Sequence, residues 1–402
     1  MKILVIGAGV AGLFFASFMD KHDVAVIEKN EFAGRKLLAT GNGRCNFTNL
    51  NFSVDNFKAN NDQLINHTIK YFTNQDLIKY LNEIGIATTN LPSGRCYPKT
   101  MSAKTVRDAL FLAAEDKANF IFNEEVTKID FKNKKVKTNT KTYSYDKLVI
   151  GSGGITLKNS GSDGKIFDLI KNQIPLTDMT YAITNYETRQ KLSKKAKGTK
   201  VTAKASLYVD DKFIKASTDD VIFQDYGLTG TAILDISNDL SESLSYKKYS
   251  HIYIDFFPEY SREDFIDYLS SLINKFAKRP IKDILIGVIN EKLIDDMLKI
   301  SKIKPFKKGF EIDNRDFDKL VNTLKSLRFE VIDIHDRQNA QVTLGGVDSN
   351  FINLKTMEST KIRDVFFIGE CQDVAGDCGG YNISWAASTA KVASDYLRSL
   401  DV

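Results

Sequence analysis

A glycine pattern at the start of the 402-residue chain constrains its fold more than any other feature. An apolar run at 2–6 precedes the sequence Gly7-Ala8-Gly9-Val10-Ala11-Gly12, which has the spacing GxGxxG, and an apolar stretch of helical composition follows at 13–19. A second apolar run at 24–27 ends at Glu28. A strand, a glycine turn, a helix, a second strand and an acidic residue in this order predict a dinucleotide-binding α/β unit.

Each glycine of this pattern has its own predicted purpose. Gly7 permits a tight turn out of the strand, Gly9 lets the backbone approach a pyrophosphate, and Gly12 lets the helix pack closely on the strand. The first N–H groups of the helix offer hydrogen bonds and a positive dipole end to phosphates. The Glu28 carboxylate can accept hydrogen bonds from a ribose diol. The predicted contacts in this unit are Gly7, Gly9, Val10, Ala11, Gly12, Glu28 and Lys29.

The segment after Glu28 favours FAD over NAD as the dinucleotide. Residues 31–49 carry three glycines and several basic and amide side chains, whereas an NAD-binding domain normally continues into another helix. Glycines let the backbone approach a flat group, basic side chains can bind phosphates, and amides suit the polar edge of a ring. A solvated basic loop is the alternative. The predicted contacts are Arg35, Lys36, Gly41, Asn42, Gly43, Arg44, Cys45 and Asn46.

A second strand–glycine–helix unit lies near the end of the chain. An apolar run at 365–368 leads into Gly369-Glu370, and a glycine pair at 379–380 precedes an apolar helix at 383–397. Glu370 and Asp373 are the candidates for a ribityl contact, and N–H groups at the helix start suit the anionic side of a reduced flavin. Both ends of the chain are therefore predicted to meet in one domain. The predicted contacts are Gly369, Glu370, Asp373, Gly379, Gly380, Tyr381 and Asn382.

The sequence at 34–49, GRKLLATGNGRCNFTN, resembles the hallmark of the aminoacetone oxidase family of FAD-binding enzymes. That family also includes BaiN-like and RdsA-like NAD(P)/FAD-dependent oxidoreductases. The resemblance covers essentially the whole chain, with similar segments at 97–106, 148–154, 343–359 and 369–382. It implies an α/β, FAD/NAD(P)-binding Rossmann-like domain. Val126, Gly151, Gly153, Gly154 and Gly346 complete the set of predicted cofactor contacts.

One segment departs from the family pattern. Residues 226–230, YGLTG, are similar to the family sequence YGLSGP, but Thr231 replaces the proline. Gln224-Asp225 stands where Thr-His is usual. Any role of that histidine is therefore not carried over to this chain.

The middle of the chain predicts an inserted domain of β-rich and helical character. We expect a FAD-binding domain at 1–185 and 342–402, and an insert at 186–341 that covers the substrate. Its β part is expected at 186–260, and its helical part at 261–328. Alternating runs on both sides of Asp210-Asp211 predict a hairpin. Further strands are expected at 232–236, 251–256 and 329–334, and helices at 262–276, 281–298 and 314–327.

A flavin carries redox chemistry itself, so the sequence predicts no particular catalytic residue. We expect hydride transfer between FAD and a small organic substrate, in the first place by an oxidase of an amine or aminoketone that uses oxygen. The alternative is a reductase of an unsaturated or carbonyl compound, with NAD(P)H as a transient reductant. The oxidase is favoured because a second complete GxGxxG is missing. A flavin-holding binding or sensing protein, associated with RNA through basic runs at 189–204 and 299–308, is the alternative from another class.

Composition sets expectations for partners and compartment. The formal net charge of +5 does not indicate a nucleic-acid partner, and both basic runs are expected to be solvated. Four cysteines without a CxxC pair are expected to be reduced thiols of a cytoplasmic protein. The apolar stretch at 3–19 lacks a signal-peptide cleavage site and is short for a membrane span, so no membrane partner is expected. The four histidines lack metal-ligand spacing, so no metal is expected.

Overall fold

The computed structural model describes residues 1–20 and 23–400, so His22 lies outside the described residues. The strands of the described residues are, in chain order, β1 Lys2–Ile6, β2 Asp23–Ile27, β3 Thr48–Asn49, β4 Phe57–Ala59, β5 Thr88–Asn90, β6 Arg95–Pro98, β7 Asn119–Ile121, β8 Val126–Asp130, β9 Lys135–Thr138, β10 Thr142–Ser144, β11 Lys147–Ile150, β12 Thr180–Ala182, β13 Tyr186–Thr188, β14 Lys200–Val209, β15 Lys212–Phe223, β16 Gly227–Thr229, β17 Ser250–Asp255, β18 Leu327–Ile334, β19 Val342–Leu344, β20 Val365–Phe367 and β21 Val374–Gly376.

The α-helices are α1 Val10–Phe18, α2 Asp62–Tyr71, α3 Asn74–Glu83, α4 Ala103–Glu115, α5 Lys165–Ile170, α6 Thr231–Asp235, α7 Ser237–Ser245, α8 Arg262–Lys275, α9 Ile281–Ile284, α10 Glu291–Ile300, α11 Asn314–Lys325 and α12 Tyr381–Ser399. Short 3₁₀ helices include Leu285–Gly287, Gly369–Cys371 and Lys36–Gly43, the last of which is interrupted at residues 40–42. Within the described residues, no helix has both the length and the apolar character needed to cross a membrane.

The first of two compact units, here unit 1, combines Met1–Ala182 with Gln338–Val402. Its main sheet is parallel and has the order β20-β11-β1-β2-β7. Residues 3–6 and 148–150 of the central strands are buried throughout, as expected for strands that are covered on both faces. Helix α1 packs against α4 and α12. This arrangement confirms the predicted Rossmann-like α/β class.

The order of the strands defines where a ligand can bind in unit 1. From β1 the chain continues to β2 and β7 on one side, and it later adds β11 and β20 on the other side. The direction of the connections therefore reverses between β1 and β11. In open α/β sheets, ligands bind outside the carboxyl ends of the strands at such a reversal. The predicted segments at 7–12, 151–154 and 369–370 follow β1, β11 and β20, so the sheet brings them to this edge.

The second unit, unit 2, spans Ile183–Arg337. It contains a closed antiparallel barrel with the strand order β13-β16-β15-β14-β17-β18. The predicted hairpin is confirmed: β14 pairs with β15, and Asp210 and Asp211 connect them with φ values of +49° and +61°. Two successive left-handed residues match the twist of the flanking strands. Helices α8 to α11 follow one another between β17 and β18.

Two local expectations were wrong. Residues 232–236 lie mostly in helix α6 rather than in a strand, because a short apolar run does not distinguish the two, and the Leu234 N–H bonds to the Gly230 carbonyl in helical fashion. The expected helix at 281–298 is divided at Gly287, and α10 begins anew after Asn290, whose side chain caps it. The segment 34–49 contains the 3₁₀ helix Lys36–Gly43, which is interrupted at residues 40–42.

Candidate cofactor site

The strand ends at the reversal point are in backbone contact. The Gly7 N–H donates to the Ile27 carbonyl over 2.8 Å, and the Gly151 N–H donates to the Ile6 carbonyl over 2.9 Å. Gly7 has a φ of +100°, and a Cβ at this position would lie 2.8 Å from the Gly151 carbonyl oxygen. A side chain here would strain the backbone and also collide with the end of β11. The turn out of β1 therefore requires glycine.

Gly9 and Gly12 have different surroundings. A Cβ on Gly12 would lie 2.0 Å from the Gly7 carbonyl oxygen, so this glycine allows α1 to pack against the turn. A Cβ on Gly9 would project into open space, with the Gly151 carbonyl oxygen at 3.9 Å as its nearest neighbour. Gly9 is the N-cap of α1 and provides no side-chain cap. Because the first N–H groups of a helix lack intrahelical partners, the backbone at Gly9 suits an approaching anion.

Glu28 lies at the end of β2 and is buried beside the glycine turn. One carboxylate oxygen accepts a hydrogen bond of 2.8 Å from the Ala8 N–H. The other accepts from the backbone and side-chain N–H groups of Asn30, at 2.9 and 2.6 Å. These bonds fix the carboxylate next to the turn, and each oxygen keeps further acceptor capacity. Glu28 therefore joins the end of β2 to the turn after β1.

Two basic side chains among the predicted cofactor contacts bind neighbouring polar groups. The Arg35 guanidinium donates to Asn30 Oδ1 at 3.0 Å. The Lys29 ammonium pairs with Asp163 at 2.8 Å. Asn30 lies close to Glu28 in sequence, and Asp163 lies in the segment that follows β11. The two cations therefore remain near the same edge of the sheet. Asp163 compensates the charge of Lys29, whereas the amide oxygen of Asn30 orients Arg35 without neutralising it.

Lys36 and Glu370 form an ion pair between two predicted segments. The Lys36 Nζ lies 2.5 Å from Glu370 Oε2 and 2.8 Å from Thr156 Oγ1. Glu370 Oε1 accepts from the Thr343 N–H at 3.0 Å and from Thr156 Oγ1 at 3.1 Å. Lys36 is predicted to face a phosphate, and in this structure its ammonium contacts this carboxylate. The network joins the first and last parts of unit 1 directly.

The backbone at 41–45 is predominantly left-handed. The φ angles are +55° at Gly41, +55° at Asn42, +80° at Gly43 and +59° at Cys45. Non-glycine residues in this conformation cost roughly 1–3 kcal/mol each, and they concentrate at ligand-binding sites. The Arg44 Nε donates to the Gly41 carbonyl at 3.2 Å and closes the turn. Burial raises the pKa of the Cys45 thiol to about 12, so this cysteine is a neutral thiol at pH 7 and not a nucleophilic thiolate.

The C-terminal motif docks on the strand that follows this turn. Gly380 has a φ of +96°, and a Cβ there would lie 2.6 Å from the Thr48 backbone nitrogen. Ser384 Oγ donates to Thr48 Oγ1 at 2.7 Å, and the Tyr381 hydroxyl donates to the Asn51 carbonyl at 2.9 Å. The start of α12 is therefore held against the segment 48–51. The two predicted flavin segments are neighbours in unit 1.

The remaining predicted residues occupy varied places. Asn382 exchanges two hydrogen bonds, of 2.9 and 2.8 Å, with the backbone at the end of β21. A Cβ on Gly346 would lie 2.6 Å from the Cys371 carbonyl oxygen, so two backbone segments touch there. Asp373 is buried directly before β21. Val126 begins β8, which belongs to a separate antiparallel sheet of three strands rather than to the parallel sheet.

Buried polar atoms in or near these segments that lack a hydrogen-bond partner within the described part of the chain include Asn46 Oδ1, Ser152 Oγ and Ser162 Oγ. Ser162 adjoins Gly153, where a Cβ would lie 2.9 Å from the serine oxygen. Buried polar atoms are almost always hydrogen-bonded, so such atoms indicate places where a ligand supplies the missing partner. Together with the open space at Gly9, they fit a bound dinucleotide with a polar ring system.

Sequence reasoning missed several members of this site. Thr156, Thr343, Ser152 and Ser162 hold other site residues or line the strand ends, and none of them was predicted. Thr343 lies in a segment that is similar to the family sequence, but the spacing of residues in that segment did not indicate its hydrogen bond to Glu370. Across the described residues, no group of three or more His, Cys, Asp or Glu side chains is placed to hold a metal ion.

Comparison with known proteins decides the family. Residues 1–396 match the family described as "HI0933-like protein Rossmann domain". The chain belongs to this family. It is the family of BaiN-like and RdsA-like FAD-dependent oxidoreductases that the sequence resembles, so the cofactor is FAD.

Two relatives of known name align over nearly their whole length. A "3-dehydro-bile acid delta(4,6)-reductase" of Clostridium scindens is 26% identical over 400 residues, which cover 98% of each chain. A "Ribosomal RNA dihydrouridine synthase" of Escherichia coli is 29% identical over 401 residues, which cover 96% of this chain and 95% of the relative. Among solved structures, 3-ketosteroid delta1-dehydrogenase from Sterolibacterium denitrificans aligns over 99% of both chains with a TM-score of 0.50 at 10% identity, which supports the fold alone.

Proposed function

We propose that this protein is an FAD-dependent reductase of a carbon–carbon double bond that is conjugated with a carbonyl group. The observation that carries the proposal is the junction in unit 1. The Gly34 N–H donates to the Ala8 carbonyl in the glycine turn after β1, Lys36 pairs with Glu370, and the start of α12 contacts Thr48 directly after the left-handed segment 41–45. Such a junction provides a dinucleotide site next to polar groups suited to a flavin.

The described groups suggest how unit 1 holds FAD. We place the pyrophosphate at Gly9, because a Cβ there would occupy the open space beside the first N–H groups of α1. Glu28 is the acceptor for a ribose diol. The segment 41–46 and the helix start at Gly380 are the contacts for the ribityl chain and the ring. The other residues predicted from the sequence are proposed contacts of the same cofactor.

Bound FAD supplies two-electron transfer. The overall reaction adds one hydride and one proton across the double bond, and NADH or NADPH supplies the two electrons. Conjugation with a carbonyl group makes the bond an acceptor, since the oxygen takes up the negative charge that develops. Within unit 1, Asn46 Oδ1 can accept only, so it suits an N–H donor, whereas the Ser152 and Ser162 hydroxyls can donate or accept.

The relatives favour reduction of a double bond over oxidation of an amine. One is named for the reduction of a bile acid at delta(4,6), and the other for the formation of dihydrouridine in ribosomal RNA. Both names describe the addition of hydrogen to a double bond that is conjugated with a ring carbonyl. Oxidation of an amine or aminoketone stays a prediction of the sequence, and the same experiment tests it.

The test is anaerobic reduction of the flavin followed by its reoxidation. FAD-loaded protein is mixed with NADH, with NADPH or with aminoacetone, and the loss of visible flavin absorbance is followed. Protein reduced by a nicotinamide is then offered a cyclic enone or an oligouridine. We expect reduction by at least one nicotinamide and reoxidation by an acceptor that carries a conjugated double bond, with the saturated product identified by mass spectrometry.

Two outcomes would contradict the proposal. Reduction by aminoacetone together with reoxidation by oxygen alone would establish the oxidase. A flavin that is reduced by neither nicotinamide, and that after chemical reduction passes electrons to neither acceptor, would favour a binding or sensing protein. An FAD-free preparation, assayed in parallel, shows whether a product depends on the cofactor.

A further inference from the structure

The segment 158–164, which lies between β11 and α5, contains no apolar side chain. Its sequence is KNSGSDG, and left-handed φ angles of +54° at Leu157 and +80° at Gly164 mark its two ends. Within the described residues, its backbone hydrogen bonds run inside the segment, to Leu157 or into α5. Neither strand pairing nor an apolar side chain of its own attaches it to the rest of the described unit 1. We call this segment the strap.

Side-chain contacts attach the strap to the segment that follows β2. The Asn30 side-chain N–H donates to the Ser160 carbonyl at 3.3 Å, and a Cβ on Gly161 would collide with the same amide group. The Lys29 ammonium lies 2.8 Å from Asp163 Oδ1. One long hydrogen bond and one ion pair therefore hold the middle of the strap.

A second ion pair attaches the end of the strap to the start of β8. The Lys165 ammonium, one residue beyond the strap, lies 2.5 Å from Glu125 Oε1 and 3.8 Å from Asp163 Oδ2. The side chains of both ion pairs reach solvent, with 26% and 23% exposure for Lys29 and Asp163. Ion pairs of this kind are weak and are screened by salt, so they can open without unfolding of the sheet.

Both attachment points lie beside proposed contacts of the cofactor. Asn30 also donates two hydrogen bonds to Glu28, the proposed acceptor for a ribose diol. Glu125 directly precedes Val126, which is another predicted contact. The strap begins after β11 and reaches these two points. It therefore lies along the edge of the sheet at which we place the adenosine half of FAD.

One side chain of the strap is directed inward. Ser162 is 5% exposed, and its Oγ lacks a hydrogen-bond partner within the described part of the chain. A Cβ on Gly153 would lie 2.9 Å from this oxygen. Gly153 is two residues from Gly151, whose carbonyl oxygen borders the open space at Gly9. Buried hydroxyl groups are almost always hydrogen-bonded, so a cofactor at this edge would supply the missing partner.

We propose that the strap closes over bound FAD, with Ser162 as a contact of the cofactor and the two ion pairs as a clasp that limits the release of FAD. The clasp opens when the ion pairs break, and the two left-handed ends of the strap act as hinges. This inference rests on the proposed placement of FAD in unit 1, with the pyrophosphate at Gly9 and a ribose at Glu28. It does not depend on which substrate the protein reduces.

The sign of one charge effect distinguishes a clasp from simple attraction. The pyrophosphate is anionic, so a carboxylate near it repels the cofactor, and removal of that carboxylate should slow the release of FAD. A clasp predicts the opposite for Asp163→Asn, because this substitution frees Lys29 and the strap. Lys29→Gln does not distinguish the two explanations, since both predict faster release.

The experiment measures the release of FAD from the full-length holoprotein. An excess of 5-deaza-FAD prevents rebinding, and flavin fluorescence reports the released cofactor. At low salt, Asp163→Asn should release FAD about 2- to 5-fold faster than the wild type, because one partly exposed ion pair is lost. Lys29→Gln with Asp163→Asn should be no faster than the faster single variant, because the two charges form one pair. In about 1 M KCl the wild type should approach Asp163→Asn, since salt screens the pair.

A second variant tests the inward contact, and a third is a matched control. Ser162→Ala should weaken FAD binding by about 2- to 10-fold, because one hydrogen bond is lost, without lowering the unfolding midpoint of the apoprotein in urea. Asp168 pairs with Lys171 at 2.7 Å inside α5, close to the strap in sequence. Asp168→Asn removes a carboxylate that does not attach the strap, so it should leave the release of FAD unchanged.

The outcomes separate the clasp from the placement of the cofactor and from the reaction. Equal or slower release from Asp163→Asn, while Gly9→Ala still weakens FAD binding, overturns the clasp alone. Equal acceleration by Asp163→Asn and Asp168→Asn also overturns it, because any lost carboxylate would then have the same effect. If neither Asp163→Asn nor Gly9→Ala affects FAD, the placement of the cofactor fails as well. No substrate takes part, so failure of enone reduction leaves the result for the clasp unaffected.

Discussion

Alanine substitutions at two glycines of the same turn should have opposite consequences. At Gly9, a Cβ would enter open space, with its nearest neighbour 3.9 Å away, and the φ of −71° is readily adopted by alanine. At Gly12, a Cβ would lie 2.0 Å from a backbone oxygen that cannot move without displacing the turn. We therefore expect Gly9→Ala to impair FAD binding and Gly12→Ala to impair folding.

The magnitudes follow from these distances. A methyl group at Gly9 would fill space that we assign to the pyrophosphate, and overpacking at close range costs about 1–3 kcal/mol, which corresponds to about a 5- to 150-fold weaker affinity. The stability of the apoprotein should fall by only about 1 kcal/mol, because alanine is a poorer N-cap than glycine but its methyl group meets no close neighbour here. At Gly12 the clash should lower the free energy of unfolding of the apoprotein by about 3 kcal/mol.

Two measurements on each variant are sufficient. Titration of the apoprotein with FAD, followed by flavin fluorescence, gives the dissociation constant. Urea unfolding of the apoprotein gives stability without the contribution of the bound cofactor. Ala8→Gly, in the same turn, serves as the control because it adds no atoms beside Gly9 or Gly12.

The reasoning would be refuted by either of two results. If Gly9→Ala binds FAD as tightly as the wild type, the pyrophosphate does not lie at this glycine. If Gly9→Ala lowers the stability of the apoprotein as much as Gly12→Ala does, the open space at Gly9 is not accessible to a methyl group.

Three further predictions concern charges of unit 1. Glu28→Gln should weaken FAD binding about 10-fold in the same titration, because an amide group would replace one acceptor oxygen of a charged hydrogen bond; unchanged affinity would exclude the ribose contact. A double-mutant cycle with Lys36→Met and Glu370→Gln should give a coupling free energy of about 1 kcal/mol in urea unfolding, since the pair is only partly exposed. Additive effects of the two substitutions would exclude a stabilising interaction between these side chains. Burial raises the pKa of Asp364, but hydrogen bonds from two lysines outweigh this and hold the pKa below its ordinary value of 3.8. Stability from this group is therefore present above pH 3.8 and lost as the pH falls through the lower folded pKa. Asp364→Asn should accordingly flatten the acid limb of stability against pH, and an unchanged acid limb would contradict this assignment.

The sequence predicted those features that depend on neighbouring residues. The strand, glycine turn and helix of 2–19 lie within one short stretch, so spacing alone identified them. The fold class followed, because parallel strands and their crossovers obey strong rules. The hairpin at Asp210-Asp211 was predicted for the same reason, since turn residues act locally.

The features that the sequence did not predict depend on distant partners. Lys36 and Glu370 are 334 residues apart, and a lysine in a glycine-rich segment is equally compatible with a phosphate or a carboxylate. Closure of the barrel in unit 2 depends on pairing between β13 and β18, which no local pattern encodes.

The hydrogen bond between Ser384 and Thr48 has a consequence for the synthesis of the protein. These residues are 336 positions apart, so the start of α12 can reach its place only after residues 1–384 have been synthesised. Unit 2 is continuous in sequence and is complete earlier, and domains generally fold as units during translation. We therefore expect the flavin to be acquired after translation, by a chain whose middle part is already folded. Truncation before residue 379 should give protein that lacks the visible absorbance of bound flavin.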